Sequence, residues 1–169
     1  MEEIKIDRRE WLWVISVALG VCALSTLPFV IGHLTEPTGL KFAGVLIAPG
    51  DNLSYLAKME EGRRGNWLFQ LPYTGVDLGR IPFVYGYYLF LGHVARWLNL
   101  PTLFVFHLAR WFNSLFLFVV VYLLITQMSD DVKERRDAFL LVALSSGFGW
   151  LAAPLGFYLS PDIMSPESN

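Results

Sequence analysis

Three apolar runs, each long enough to cross a bilayer, constrain this chain more than any other feature. A helix needs about 20 apolar residues to cross roughly 30 Å of hydrocarbon. WLWVISVALGVCALSTLPFVIG (Trp11–Gly32), TLFVFHLARWFNSLFLFVVVYLLIT (Thr102–Thr126) and DAFLLVALSSGFGWLAAPLGFYL (Asp137–Leu159) meet that length. The expected fold class is therefore all-α and integral to the membrane, with three transmembrane helices at about 11–32, 102–126 and 137–159. The charged fraction of 17% lies below the quarter or so typical of soluble domains. The first run does not read as a signal peptide, because its apolar core is too long and no small-x-small cleavage site follows it. Pro28, behind Ser25 and Thr26, is expected to kink its outer end. Cys22, the one cysteine, excludes an internal disulfide and reads as a small helix-packing residue.

Orientation follows from the basic residues. Lys5, Arg8 and Arg9 precede the first run, and Lys133, Arg135 and Arg136 lie in the charged loop SDDVKERRD between the last two. Cytoplasmic loops carry the excess of Lys and Arg, so both segments are expected inside. The chain must then cross an even number of times between them. Ile81–Leu98 is apolar but carries His93, Arg96 and several Tyr and Trp residues, which favour the headgroup level. It is read as a helix at the outer face rather than as a span. The domain organisation is thus one membrane domain over 1–169, with an outer loop from about 33 to 100 bearing one or two amphipathic helices, and an outer tail. The expected location is a bacterial or archaeal plasma membrane with a cytoplasmic N-terminus. The net charge of −2 and the lack of a basic run give no sign of a nucleic-acid partner.

The outer loop holds the chemistry. In APGDNLSYLAKMEEGRRGNW, Pro49-Gly50 breaks regular structure and Asp51 stands where a helix begins, which suits an N-cap. Leu53, Leu56 and Met59 recur at helical spacing, with Lys58, Glu60, Glu61 and Arg63 on the other side, and Gly62 or Gly65 can end the helix. A carboxylate facing outward at the edge of the bilayer also suits a general base or a metal ligand. His33, His93 and His107 have no H-x-x-x-H spacing and form no zinc set, while His107 with Trp111 reads as helix packing. Trp11, Trp13, Trp150 and Tyr158 read as lipid-facing or interfacial, and Gly147 and Gly149 as close helix contacts.

Taken in order, Pro49, Asp51, Tyr55, Gly65-Asn66-Trp67, Arg80-Ile81-Pro82, Tyr85-Gly86-Tyr87-Tyr88 and Arg110 in HLARWF form a pattern. It resembles the N-terminal portion of the C-type superfamily of membrane glycosyltransferases, to which the aminoarabinose transferases that modify lipid A and the protein O-mannosyltransferases belong. Asn52 stands where the family usually has Glu, and Arg80-Ile-Pro where it has Lys-Pro-Pro. The resemblance implies transfer of a sugar from a polyprenyl-phosphate donor to an acceptor on the extracytoplasmic side. It implies Asp51 as the catalytic carboxylate, with a divalent metal at that residue as an alternative role in some members and no other cofactor. Arg80 and Arg110 become the groups that meet the departing phosphate, and Tyr55 a substrate-binding residue. A second acidic residue is expected after the last span, as Asp162 or Glu167. Relatives carry further spans, so the chain is expected to be a fragment of a larger polytopic bundle. Missing C-terminal helices or a partner subunit would complete it, and the 169 residues alone would be inactive. Two other readings compete: a non-catalytic membrane scaffold or subunit, and a fragment of a polytopic transporter.

Overall fold

The structure is a computed structural model, and it describes residues 6–46, 49–69 and 84–144. Among these residues every regular element longer than one residue is a helix: α1 (Arg8–Leu34), α2 (Pro49–Arg63), α3 (Gly86–Trp97), α4 (Thr102–Thr126) and α5 (Val132–Leu144). With 27 and 25 residues, α1 and α4 are about 40 and 38 Å long, enough to cross a membrane. With 12 residues, α3 is about 18 Å long, less than the roughly 30 Å of a bilayer's hydrocarbon. The chain divides into two compact units, one drawn from Met1–Ile31 and Phe112–Asn169 and the other from Gly32–Trp111.

In the first unit, α1 buries Glu10, Val14, Ala18 and Cys22, a single stripe at four-residue spacing. Leu12, Leu19, Leu24, Leu27 and Ile31 face outward, as do Phe112, Phe116, Leu117 and Leu124 on α4. A helix of a soluble protein turns its apolar face inward. Here a narrow stripe packs and the rest of the apolar surface is left outside. The helix runs unbroken through Pro28, and the Ser25 and Thr26 hydroxyls both donate to the Cys22 carbonyl (2.8 Å each).

Val14, Tyr122, Ile125 and Phe139 form the core of this unit, with Trp11, Trp13 and Phe118 packed on it. Trp11 meets the edge of Tyr122 and Trp13 that of Phe139, so both tryptophans pack inward rather than serving only as outward anchors. The charged stretch read as a loop is partly helical. Asp131 accepts from the Lys133 amide (2.8 Å) and so caps α5, which begins at Val132. The helix therefore starts five residues before the expected third span. The remainder of that span, Gly147, Gly149 and Trp150 included, lies outside the described residues.

Burial explains why α5 starts so early. Arg135 is 4% exposed and pairs with the Glu10 carboxylate at 3.3 Å, while Tyr122 donates its hydroxyl to the same carboxylate. Arg135 Nε also donates to the Ser129 carbonyl (2.7 Å). The first turn of α1, the last turns of α4 and the first turn of α5 therefore meet at one end of the unit. Removing one partner of a buried pair strands the other, at about 3–5 kcal/mol, whereas an apolar pair of similar volume is close to neutral. Arg135→Ala is expected to destabilise the protein by that amount in thermal unfolding of the detergent-solubilised chain. The triple change Glu10→Leu, Arg135→Met and Tyr122→Phe, which also removes the hydroxyl that Glu10 accepts from, should recover most of the loss. Equal losses in the single and triple variants would contradict the account.

In the second unit, α2 and α3 cross at two glycines. A Cβ on Gly92 would fall on the Met59 carbonyl, 2.7 Å from the Arg63 nitrogen and 2.9 Å from Gly62 Cα. A Cβ on Gly62 would fall on the Leu89 carbonyl. Backbone thus lies on backbone. Met59, Leu91, Ala95 and Val105 form the small core beside this crossing, Val105 coming from the first turns of α4. Gly62 is therefore a packing residue, and Gly65 is the terminator. Gly65 has φ +105°, its amide donates to the Gly62 carbonyl (2.9 Å) and the Asn66 amide to that of Glu61 (3.1 Å). This is the Schellman cap. Asn99, with φ 52°, ends α3 in the same way.

Between α1 and α2 the chain folds back on itself. The ring of Phe42 packs against Gly32 and meets His33 edge-on at 5.0 Å. Glu36 accepts from the Phe42 amide (3.1 Å) and pairs with His33 (3.1 Å), and these two contacts, His33 first, hold its carboxyl below the usual range.

Candidate functional site

The site is built on α2. Asp51 lies in the first turn of the helix, two residues past Pro49, rather than at the cap. Pro suits the opening of a helix because its missing N–H would have no partner there. A carboxylate in that turn is favoured by the helix dipole. Asp51 is exposed and joins no ion pair among the described residues.

Tyr55 is one turn further along the same side. Its ring stacks on Tyr88 of α3, with centroids 4.5 Å apart and planes 9° from parallel. The crossing at Gly62 and Gly92 allows α2 and α3 to approach closely enough for this. One turn further on lies Lys58, which the sequence pattern assigns to the solvent face. It is instead 8% exposed. Its ammonium lies 3.6 Å from the Tyr85 ring centroid and 4.8 Å from that of Tyr55, and it donates to Ser54 Oγ (2.9 Å). Tyr85 itself has φ 56°, a left-handed conformation that is rare for a bulky residue, and it directly precedes α3. Asp51, Tyr55 and Lys58 thus follow one another at helical spacing, and aromatic rings hold the latter two in place.

The Gly65-Asn66-Trp67 element acts as a buttress. Asn66 Nδ2 donates to Glu61 (2.7 Å), and Trp67 stacks on the buried His93 ring of α3 at 3.7 Å. Arg63 and Arg64 point outward and pair with Glu60 (3.4 Å) and Glu61 (3.5 Å), in keeping with solvated charges.

Arg110 belongs to the same unit and is half-buried on α4, one turn beyond His107. His107 Nε2 lies 3.2 Å from the Gly44 carbonyl, which ties α4 to the loop after α1. The structure brings Tyr55 and Lys58 together beside Asp51 but joins Asp51 to Arg110 by no ion pair among the described residues. Arg80, Asp162 and Glu167 lie outside those residues. Among the described residues no three His, Cys, Asp or Glu side chains gather as a metal site.

Comparison with protein-family models, with curated proteins and with solved structures returns no match for this chain.

Proposed function

We propose that this chain is part of an integral membrane glycosyltransferase that moves a sugar from a polyprenyl-phosphate donor to an acceptor on the extracytoplasmic side. The observation that carries the reading is the exposed Asp51 carboxylate, which joins no ion pair among the described residues, on a helix packed closely against α3, in a segment flanked in the chain by two membrane-length helices. The outward apolar surfaces of α1 and α4 support membrane insertion. The Glu10–Arg135 pair joins the N-terminal turn to the start of α5, and this supports a common, cytoplasmic side for both basic segments.

In this reading Asp51 takes the acceptor hydroxyl proton as that oxygen bonds to the anomeric carbon. The bond from that carbon to the phosphate oxygen breaks, and polyprenyl phosphate departs with the electron pair. Tyr55 forms a wall of the site. Arg110, with Arg80, receives the charge that grows on the leaving phosphate, as planar guanidinium groups do well. Asp162 or Glu167 supplies a second carboxylate. A lipid-borne donor suits the location, because its tail stays in hydrocarbon while the acceptor arrives from water. The test is to substitute Asp51 in the protein in its native membrane, supply a polyprenyl-phosphate-linked sugar and measure transfer. Loss of transfer in a folded protein supports the reading, and unchanged transfer overturns it.

A further inference from the structure

Lys58 lines a cavity of about 210 Å³, together with Ser54, Glu60, Glu61, Arg64 and Phe69. That is far above the ~10–15 Å³ that admits one water. A cation buried to this degree is ordinarily matched by an anion. Yet no carboxylate pairs with Lys58 among the described residues, and its neighbours are two tyrosine rings and a hydroxyl. The carboxylates of the same wall are engaged elsewhere, Glu60 with Arg63 and Glu61 with Arg64 and Asn66. Among the described residues the cations Lys58, Arg63 and Arg64 therefore stand against two carboxylates, Glu60 and Glu61, and Lys58 is the cation those carboxylates leave unmatched.

We propose that the Lys58 cavity binds a phosphate oxyanion. The ammonium, the Ser54 hydroxyl and the Arg64 guanidinium offer several donors from different directions, which suits a tetrahedral group with several acceptor oxygens. The apolar edge of Phe69 suits whatever the phosphate is attached to. The proposal rests on the cavity and its cation, and it holds whether or not the chain transfers sugar.

The experiment is a calorimetric titration of the full chain in a maltoside detergent, which carries no phosphate. Inorganic phosphate and dodecyl phosphate are the two probes. One saturable site is expected, weakened about tenfold or more by Lys58→Met and largely retained in Lys58→Arg. Equal affinity for the probes identifies a free anion as the ligand, and preference for dodecyl phosphate identifies a phosphate carried on a lipid tail. Arg64→Gln, on the exposed rim, should weaken binding severalfold and serves if Lys58→Met fails to fold. Absence of saturable binding of either probe to the unaltered protein overturns the proposal. So does unchanged affinity in a folded Lys58→Met or, where that variant fails to fold, in Arg64→Gln. Because binding is read without turnover, this result is independent of the Asp51 test.

Discussion

If the proposed function holds, Asp51→Asn is expected to lower sugar transfer in native membranes by about 10²–10⁴-fold, the range ascribed to a positioned general base. The substitution keeps the size and shape of the side chain and removes its ability to take a proton. Its structural cost is small. Asp51 is exposed and makes no ion pair among the described residues, so the loss is confined to its interaction with the helix dipole, about 0.3–1 kcal/mol. A large fall in activity beside a small fall in stability separates catalysis from scaffolding. A scaffold would tolerate the change at Asp51. The measurements are transfer of labelled sugar and the abundance and melting temperature of the variant. Full activity in Asp51→Asn would remove the carboxylate from the mechanism.

The second large effect lies at the crossing of α2 and α3. Alanine normally stabilises a helix relative to glycine by about 1 kcal/mol. At Gly92 the sign reverses, because the added methyl would lie on the Met59 carbonyl and against Gly62 Cα. Side chains can yield to overpacking at about 1–3 kcal/mol. Two helix backbones cannot yield without separating, so Gly92→Ala is expected to cost about 3 kcal/mol or more. Separation would also unstack Tyr55 from Tyr88 and uncover Lys58, so phosphate binding should fall together with the melting temperature. Gly20→Ala, where nothing lies within 4 Å, is the control and should be neutral or stabilising. Similar melting temperatures for the two variants would show that the crossing is not close-packed.

The contrast between these glycines indicates what a sequence can carry. Gly62 and Gly65 both look like helix terminators, and either residue is chemically able to end α2. What separates them is Gly92, far along the chain, which needs a bare backbone opposite it. Lys58 misleads for a related reason. Its neighbours in α2 are charged, so local pattern assigns it to water, while the ring that covers it belongs to Tyr85. Arg135 reads as one more basic residue that sets topology. Its partner Glu10 is 125 positions away, and no local signal links the two.

The long helices were legible, because about 20 apolar residues in a row have few other uses. Their packing stripe was not, since a helix apolar on every side hides which face is inward. The early start of α5 does have a local signal, since Asp131 followed by Glu134 is a helix-opening pattern, although the run of charges around it by itself suggests a loop. Within the candidate site, Asp51 and Tyr55 are singled out by the resemblance to a family pattern, whereas the burial of Lys58 needed the fold.

The central claim is that Asp51 faces the extracytoplasmic side while the turn before α5 faces the cytoplasm. Single cysteines test it most directly, in a chain whose buried Cys22 is replaced by serine. Gly50 has open space around it and adjoins Asp51, while Met128, 81% exposed, lies just before the start of α5. A membrane-impermeant maleimide added to intact cells should label Gly50→Cys, and should label Met128→Cys only after permeabilisation. The opposite pattern, with Met128→Cys labelled in intact cells and Gly50→Cys protected, would contradict the account.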